Sequence, residues 1–333
     1  MASKERALQS CPVANRIVLA EGALLEEILD GTYPIWNEGL TRRAYGQWNA
    51  AQMLTPWGRD HLHRFALVDD GGRLLASAKR YRYDVRLNGR DTSMCGFGAV
   101  FTPPDRRGRG HAAEAIEQIV AREREAGAAM ATLFSEIGEP FYRRLGFEPV
   151  PLEELTFEVV QKGGAPATLV RAGADRDFPD LAGMHDVRAG SARFALRRSA
   201  PMIQYAIAKK RLFSGLAAPG HRETHWFVAE EGSSAVAYVL LTVTAGHWTI
   251  EEAGDRDPAG ARLGAIMQVL LAREPSLRTP AIRAWWPVDF PIPPQMRVTA
   301  RAPATDVFMI RPLADDAALP APGDVFYWKS DYF

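Results

Sequence analysis

The sequence predicts a mixed α/β (α+β) fold built twice, each copy a mostly antiparallel sheet flanked by helices. Three observations predict it. Strand-like apolar segments and amphipathic helices follow one another in the same mixed order in both halves of the 333 residues. The second half repeats the first weakly at a shift of 151 positions. A loop rich in arginine and glycine, Arg107-Gly108-Arg109-Gly110-His111-Ala112, stands between a strand-like segment (Cys95 to Phe101) and an amphipathic helix.

Taken in order, a strand around Ile17 precedes helices over Ala23–Leu29 and about Thr41–Met53. A meander follows, with a long hairpin over Leu74–Thr92. Its turns are Asp69-Asp-Gly-Gly72 and Asn88-Gly89, residues that accept left-handed backbone. The next helix places Ala112, Ala115, Ile116, Ile119 and Val120 on one face. A strand over Ala129–Phe134, a short helix near Phe141 and a strand at Phe157 complete the half. The linker is Gln161-Lys-Gly-Gly-Ala-Pro166.

The repeat pairs Ile17–Gly22 with Thr168–Gly173, and the helix face at 112–120 with Leu263, Ile266, Met267, Leu270 and Leu271. Ala129–Phe134 answers to Pro280–Trp285, and Phe157 to Phe308. Phe65–Gly71 matches Trp226–Gly232 at ten further residues of offset. The organisation expected is a catalytic unit over 1–160, a degenerate copy over 167–315, and a tail over 316–333. In the copy, Pro258, Ala259 and Ala261 replace Arg107, Gly108 and Gly110, with Asp255 and Asp257 nearby. Proline removes an N–H donor, and the carboxylates repel an anion. One working site is expected, in the first half.

Forty Lys and Arg balance forty Asp and Glu, which gives no bulk attraction to nucleic acid or an anionic membrane. No apolar run nears the ~18 residues of a membrane span, and the N-terminus lacks a signal-peptide core. A cytoplasmic protein is expected. Cys11 and Cys95 set no disulfide framework, and Cys95 reads as a small buried hydrophobe. His61 and His63 share a face if extended, but no further ligands lie near them, so no metal is expected.

In the Arg107–Ala112 loop, glycine backbone N–H groups converge on the positive end of a helix, with Arg106, Arg107 and Arg109 beside them. The anion such a loop suits is a coenzyme diphosphate. This run resembles the Arg/Gln-x-x-Gly-x-Gly/Ala motif of the GNAT superfamily of acyl-coenzyme-A-dependent N-acyltransferases. Glu139-Pro-Phe-Tyr-Arg-Arg-Leu-Gly-Phe147 resembles the family's Tyr-x-x-Leu/Phe-Gly-Phe segment. The resemblance implies two tandem GNAT folds. It also implies acetyl-coenzyme A as co-substrate, held by Val100, Phe101, Thr102, Arg106, Arg107, Gly108, Arg109, Gly110, His111 and Ala112. The strand Gly98–Thr102 would splay from its neighbour and bind the pantetheine arm and thioester oxygen through its backbone.

From the residues alone Tyr142 is either a core tyrosine or a general acid; the resemblance implies the acid, protonating the departing thiolate. Glu136 and Glu139 lie near the expected site. The chain finishes Val325-Phe-Tyr-Trp-Lys-Ser-Asp-Tyr-Phe333, unusually aromatic for a terminus. This arrangement is similar to the Eis (enhanced intracellular survival) group, in which the terminal carboxylate returns to the first unit as base. Carried over, that role falls to Phe333. The group's third, sterol-carrier-like domain has no room in the twenty or so residues after Pro312.

Tyr33, Trp36, Tyr45, Trp48 and Trp57 either wall the acceptor site or pack helices; Trp285 and Trp286 are expected in the core of the second half. The function expected is transfer of an acetyl group to a primary amine of a small molecule, a peptide or a lysine. A longer-chain N-acyltransferase and a non-catalytic acyl-coenzyme A or amine binder are the alternatives. Homo-oligomerisation stays open.

Overall fold

A computed structural model describes residues 15–160, 168–273 and 280–332. Strand β1 (Arg16–Leu19) leads into helices α1 (Gly22–Trp36), α2 (Arg42–Leu54) and α3 (Pro56–His61). The sequence explains where the last two begin: the Thr41 hydroxyl accepts from the Ala44 N–H, and the Thr55 hydroxyl from that of Gly58, with Pro56 at the first helical position. Helix α1 is about two turns longer than its apolar pattern indicates and contains Pro34. Strands β2 (Leu62–Val68), β3 (Leu74–Leu87) and β4 (Arg90–Phe101) form the meander. Asn88 and Gly89 take φ of 51° and 81°, the backbone that a two-residue hairpin turn requires.

Helix α4 (His111–Glu125) then carries the chain to β5 (Ala128–Ser135), which lies parallel to β4. Helix α5 (Pro140–Arg143), β6 (Glu148–Pro149) and β7 (Glu153–Val159) follow. The second half runs β8 (Leu169–Ala172), α6 (Phe178–Ala189), β9 (Phe194–Leu196), α7 (Ala200–Leu216), β10 (Glu223–Glu231), β11 (Ser234–Thr244) and β12 (His247–Asp255). Helix α8 (Ala261–Arg273) and β13 (Ala281–Trp285) come next, then β14 (Met296–Pro303), β15 (Val307–Pro312) and β16 (Val325–Phe326). The architecture is mixed α/β: open mixed sheets flanked by helices.

The two sheets have the same plan with one exchange. The first reads β1-β2-β3-β4-β5-β15-β6, the second β8-β10-β11-β12-β13-β7-β14. In each, one parallel pair bridged by a long helix sits among antiparallel neighbours. Strand β7, from the first half, pairs with β13, and β15, from the second, pairs with β5. The aligned residues Phe157 and Phe308 thus stand in each other's sheets, so a cut near residue 160 does not separate the sheets.

The exchange is sealed by apolar packing. Phe134, Phe194, Trp285, Phe308 and Tyr327 are buried in one cluster drawn from both halves. Trp285 was expected within the second core; it instead stacks on Phe134, 5.4 Å between centroids, because β13 ends at this boundary. Trp286 packs against Phe157, which β7 brings into the second sheet. Cys95 is fully buried, and burial pushes its thiol pKa up.

The tail lies between the halves. Strand β16 runs parallel to β9, which itself pairs with the far end of β3. Arg198 makes a buried ion pair with Glu252 at 2.6 Å and faces Asp331 at 3.3 Å, while Ser330 donates to Glu252 at 2.7 Å. Nearby, buried His185 donates through Nε2 to the Leu196 carbonyl at 2.9 Å and meets the Phe326 ring edge-on. Desolvation and the Arg198 charge push its pKa down to about 3. Since the unfolded chain titrates near 6.5, it binds a proton that the folded chain refuses as pH falls. Stability is therefore expected to fall between pH 6.5 and 3, at up to about 1.4 kcal/mol per pH unit from this group. Urea midpoints for His185→Gln should show a flatter acid limb than the parent; an identical limb would refute the assignment.

Candidate active site

The loop before α4 is shaped by two glycines. Gly108 and Gly110 take φ of 75° and 83°, and a Cβ at either would point into open space. Gly110 is the N-cap residue and has no side chain to offer, so the first N–H groups of α4 lack a side-chain cap. They form a positive helix end without a side-chain cap, with Glu114 the one acidic residue of the first turn. Arg107 Nε donates to the Thr102 carbonyl at 3.2 Å and steadies the loop. Arg106 is paired with the exposed Asp105 at 2.9 Å, and Arg109 makes no ion pair among the described residues. His111 Nδ1 lies 4.0 Å from the Glu114 carboxylate, beside half-buried Ala112.

The matching helix end in the second half is closed by the protein itself. The Asp255 carboxylate accepts from the N–H groups of Leu263 and Asp257, both at 2.8 Å. Pro291 and Pro293 cover Gly260, and Gln295 reaches Gly264. A carboxylate and two prolines occupy the space that an anion would need.

Beside the open end, β4 departs from regular pairing. Lys79 pairs with Gly98 but Ser77 with Phe101, so β4 contains one extra residue. Ala99 within this bulge takes φ 47°, a left-handed conformation that costs a non-glycine residue of order 1 kcal/mol. The parallel ladder with β5 stops at Phe97–Leu133, although both strands continue. The strands part there and leave backbone groups unpaired, as a splayed pair must. Phe101 turns inward instead; its ring fills the place of a side chain at Gly31.

A cavity of about 230 Å³ opens at the splay, lined by Gly98, Ala99, Val100 and Tyr142. The Gly146 turn, φ 76°, lets the Tyr142 carbonyl accept from both Leu145 and Phe147, at 2.9 and 3.1 Å. This fixes the Tyr142 ring edge-on to Phe141 and Phe147. Burial, with a smaller effect from Glu136, pushes its phenol pKa up to about 12. The group is a proton donor throughout the neutral range.

Trp36, Tyr45 and Trp48 line the same cavity. Tyr33 and Trp57 do not: Tyr33 donates to the Leu40 carbonyl, and Trp57 stacks on His61 at 4.8 Å. His61 bonds the Arg82 carbonyl and His63 faces Arg80, so both histidines have structural partners. Glu136 lines the cavity and accepts from Trp36 and Tyr332 at 3.2 and 3.3 Å, whereas Glu139 is held by Arg143 at 2.8 Å. Phe333 lies outside the described residues; its neighbour Tyr332 lines the cavity.

Sequence reasoning did not find Lys79, Lys209, Lys210 and Arg222, which also line it. Lysine at the end of the mostly apolar run Leu74–Lys79 is a signal for the first. Nothing local marks the other three, which reach the site from α7 and the loop before β10.

An uncapped helix end, and a cavity that brings the splayed strand and a buried phenol together, are features that an acyltransferase drawing on acyl-coenzyme A would use. The acetyltransferase (GNAT) domain family matches residues 33–150. The chain carries a GNAT acetyltransferase domain and is an enzyme of that class, with an acyl-coenzyme A co-substrate. Among solved structures the chain is similar to a probable N-acyltransferase from Enterococcus faecalis (16% identity, 90% of this chain and 73% of that one, TM-score 0.65). It is also similar to a GCN5-related N-acetyltransferase from Kribbella flavida (17%, 91% and 72%, TM-score 0.65). Eis1 from Mycobacterium abscessus is a further neighbour (15%, 90% and 74%, TM-score 0.55). At such identities the likeness is one of fold. No curated protein sequence matches the chain. No described helix is long and apolar enough to cross a membrane.

The uncapped end of α4 makes a prediction. Gly110→Asp would add a carboxylate next to its first N–H groups, at a position whose φ of 83° also suits glycine. Coenzyme A affinity by calorimetry should fall by roughly 30-fold, about 2 kcal/mol, the scale of losing charge-assisted hydrogen bonds. Unchanged affinity would show that the diphosphate binds elsewhere.

Proposed function

We propose that the protein transfers an acetyl group from acetyl-coenzyme A directly to a primary amine, at one active site in the first of two GNAT-like units. The observation that carries this reading is the meeting of Tyr142 with the β4 bulge in one cavity. A thioester lying along the splayed strand would turn its carbonyl toward the bulge backbone. The amine nitrogen bonds to that carbonyl carbon, the carbon–sulfur bond breaks, and the thiolate takes a proton from Tyr142. The backbone of Val100, Phe101 and Thr102 would hold the pantetheine arm. The loop from Arg106 to Ala112 would hold the diphosphate. The closed end of α8 supports a structural role for the second unit.

For the base we propose the α-carboxylate of Phe333. Its support is Tyr332, whose carbonyl accepts from Lys209 at 2.6 Å inside the cavity. Glu136 is the second reading, because its described partners there are neutral donors that leave it free to take a proton. Appending a short peptide after Phe333 should abolish turnover on the first reading; Glu136→Gln should do so on the second. The reaction itself is tested by thiol release from acetyl-coenzyme A across a panel of amines. No release with any amine, in a protein that binds the coenzyme, would overturn it.

A further inference from the structure

Two lysines of the cavity lining, Lys79 and Lys209, have no carboxylate within ion-pair distance among the described residues, while the lining carboxylates lie elsewhere: Glu38 pairs with Arg222, and Glu136 accepts from Trp36 and Tyr332. Lys79 on β3 and Arg64 on β2 are register partners, so their side chains leave the same face of the sheet. They are 9% and 4% exposed. No carboxylate among the described residues pairs with either. Lys79 has the Trp48 ring beneath it at 5.1 Å, and Arg64 reaches the amide oxygen of Asn49 at 3.2 Å, leaving Nη1 without a partner. Lys209, buried across the cavity, is held by a carbonyl. By contrast Lys210 and Arg222 have carboxylates, Glu251 at 2.8 Å and Glu38 at 3.1 Å. Two buried cations directly opposed and unpaired are costly, and nearby Lys209 adds to the cost. Burial and the neighbouring Arg64 and Lys209 charges lower the Lys79 pKa strongly, which expresses that cost.

Position says what would relieve it. Lys79 stands opposite Gly98, the residue just before the bulge. An anion held by Lys79 would therefore sit on the strand opposite the bulge along which the thioester is proposed to lie. Five aromatic rings, Trp36, Tyr45, Trp48, Tyr81 and Phe213, make up much of the wall, with Gln52, Glu38 and Glu136 as its other polar members besides the cations. We infer that the acceptor is an amine with a carboxylate one or two carbons from its nitrogen and an aromatic or apolar side chain. Lys79 is the residue that selects it. Polycationic amines are disfavoured by the same charges. This inference rests on the acyl-transfer reading above.

The test compares phenylalanine with phenethylamine, which differ only in the carboxylate. With the full chain and acetyl-coenzyme A, kcat/KM should favour phenylalanine by at least about tenfold, the scale of one charge-assisted bond. Lys79→Met should bring that ratio close to one, and Lys79→Arg should restore most of it. Equal turnover of the two by the parent would overturn the inference and leave acyl transfer standing. If neither is turned over, tryptophan quenching by N-acetylphenylalanine and by N-acetylphenethylamine decides. Tighter binding of the acid, lost in Lys79→Met, supports the carboxylate seat; equal binding sinks it. A third arm offers phenethylamine with succinyl-coenzyme A. Preference for that donor over acetyl-coenzyme A would assign the seat to the acyl group and overturn the acceptor assignment.

Discussion

Replacing Tyr142 with phenylalanine is expected to lower kcat by roughly 10²- to 10⁴-fold, the range of a positioned proton donor, with coenzyme affinity changed by no more than about twofold. The substitution removes one oxygen and keeps the ring. The edge-on contacts with Phe141 and Phe147 survive, and so does the turn built on the Tyr142 backbone. The loss should therefore appear in the chemical step. A second signature is the pH profile. With its phenol raised to about 12, Tyr142 remains protonated, so no alkaline limb below about pH 11 should come from it. Burst experiments with excess amine would separate chemistry from release. A variant that keeps full kcat would make Tyr142 a packing residue and move the acid elsewhere.

The second large effect is structural. Arg198→Met is expected to cost about 3–5 kcal/mol, because it strands the buried Glu252 and Asp331 carboxylates without their cation. Ser330 and Tyr238 would still donate to Glu252, but neutral donors do not balance a buried charge. The tail is joined to the second sheet through this network, so its release should accompany the loss. Thermal unfolding would measure the first, and increased exposure of Trp328, now 1% exposed, would report the second through fluorescence. Replacing Arg198, Glu252 and Asp331 together by apolar residues should recover much of the stability, since no charge is then left unpaired. A single variant as stable as the parent would show that the network does not hold the tail. Activity offers a further reading: Tyr332 lines the cavity, so a loosened tail should depress turnover even where the chain stays folded.

Much of this was legible in one dimension. Asn88-Gly89 located its hairpin because few residues accept that backbone. The Arg107–Ala112 run marked a helix start because glycine leaves amides bare. The 151-residue shift paired α4 with α8 and β5 with β13, since a helix stripe has a local period. The extra two turns or so of α1 were not legible, because Pro34 argues against helix and only packing overrules it. Trp285 was read into one core but serves the boundary between two. The strand exchange was out of reach as well: Phe157 and Phe308 look alike, and an apolar strand fits either sheet.

The sequence by itself determined the elements, the mixed α/β class and the bare helix end that an anion can approach. Each follows from interactions spanning a few residues, which periodicity and residue type record. Only the tertiary structure decided which sheet receives β7 and β15, how the tail is seated, and that Lys79 from β3 meets Lys209 from α7 around one cavity. Those outcomes depend on distances between residues a hundred or more positions apart. Charge and burial act through space there, and no local pattern encodes them.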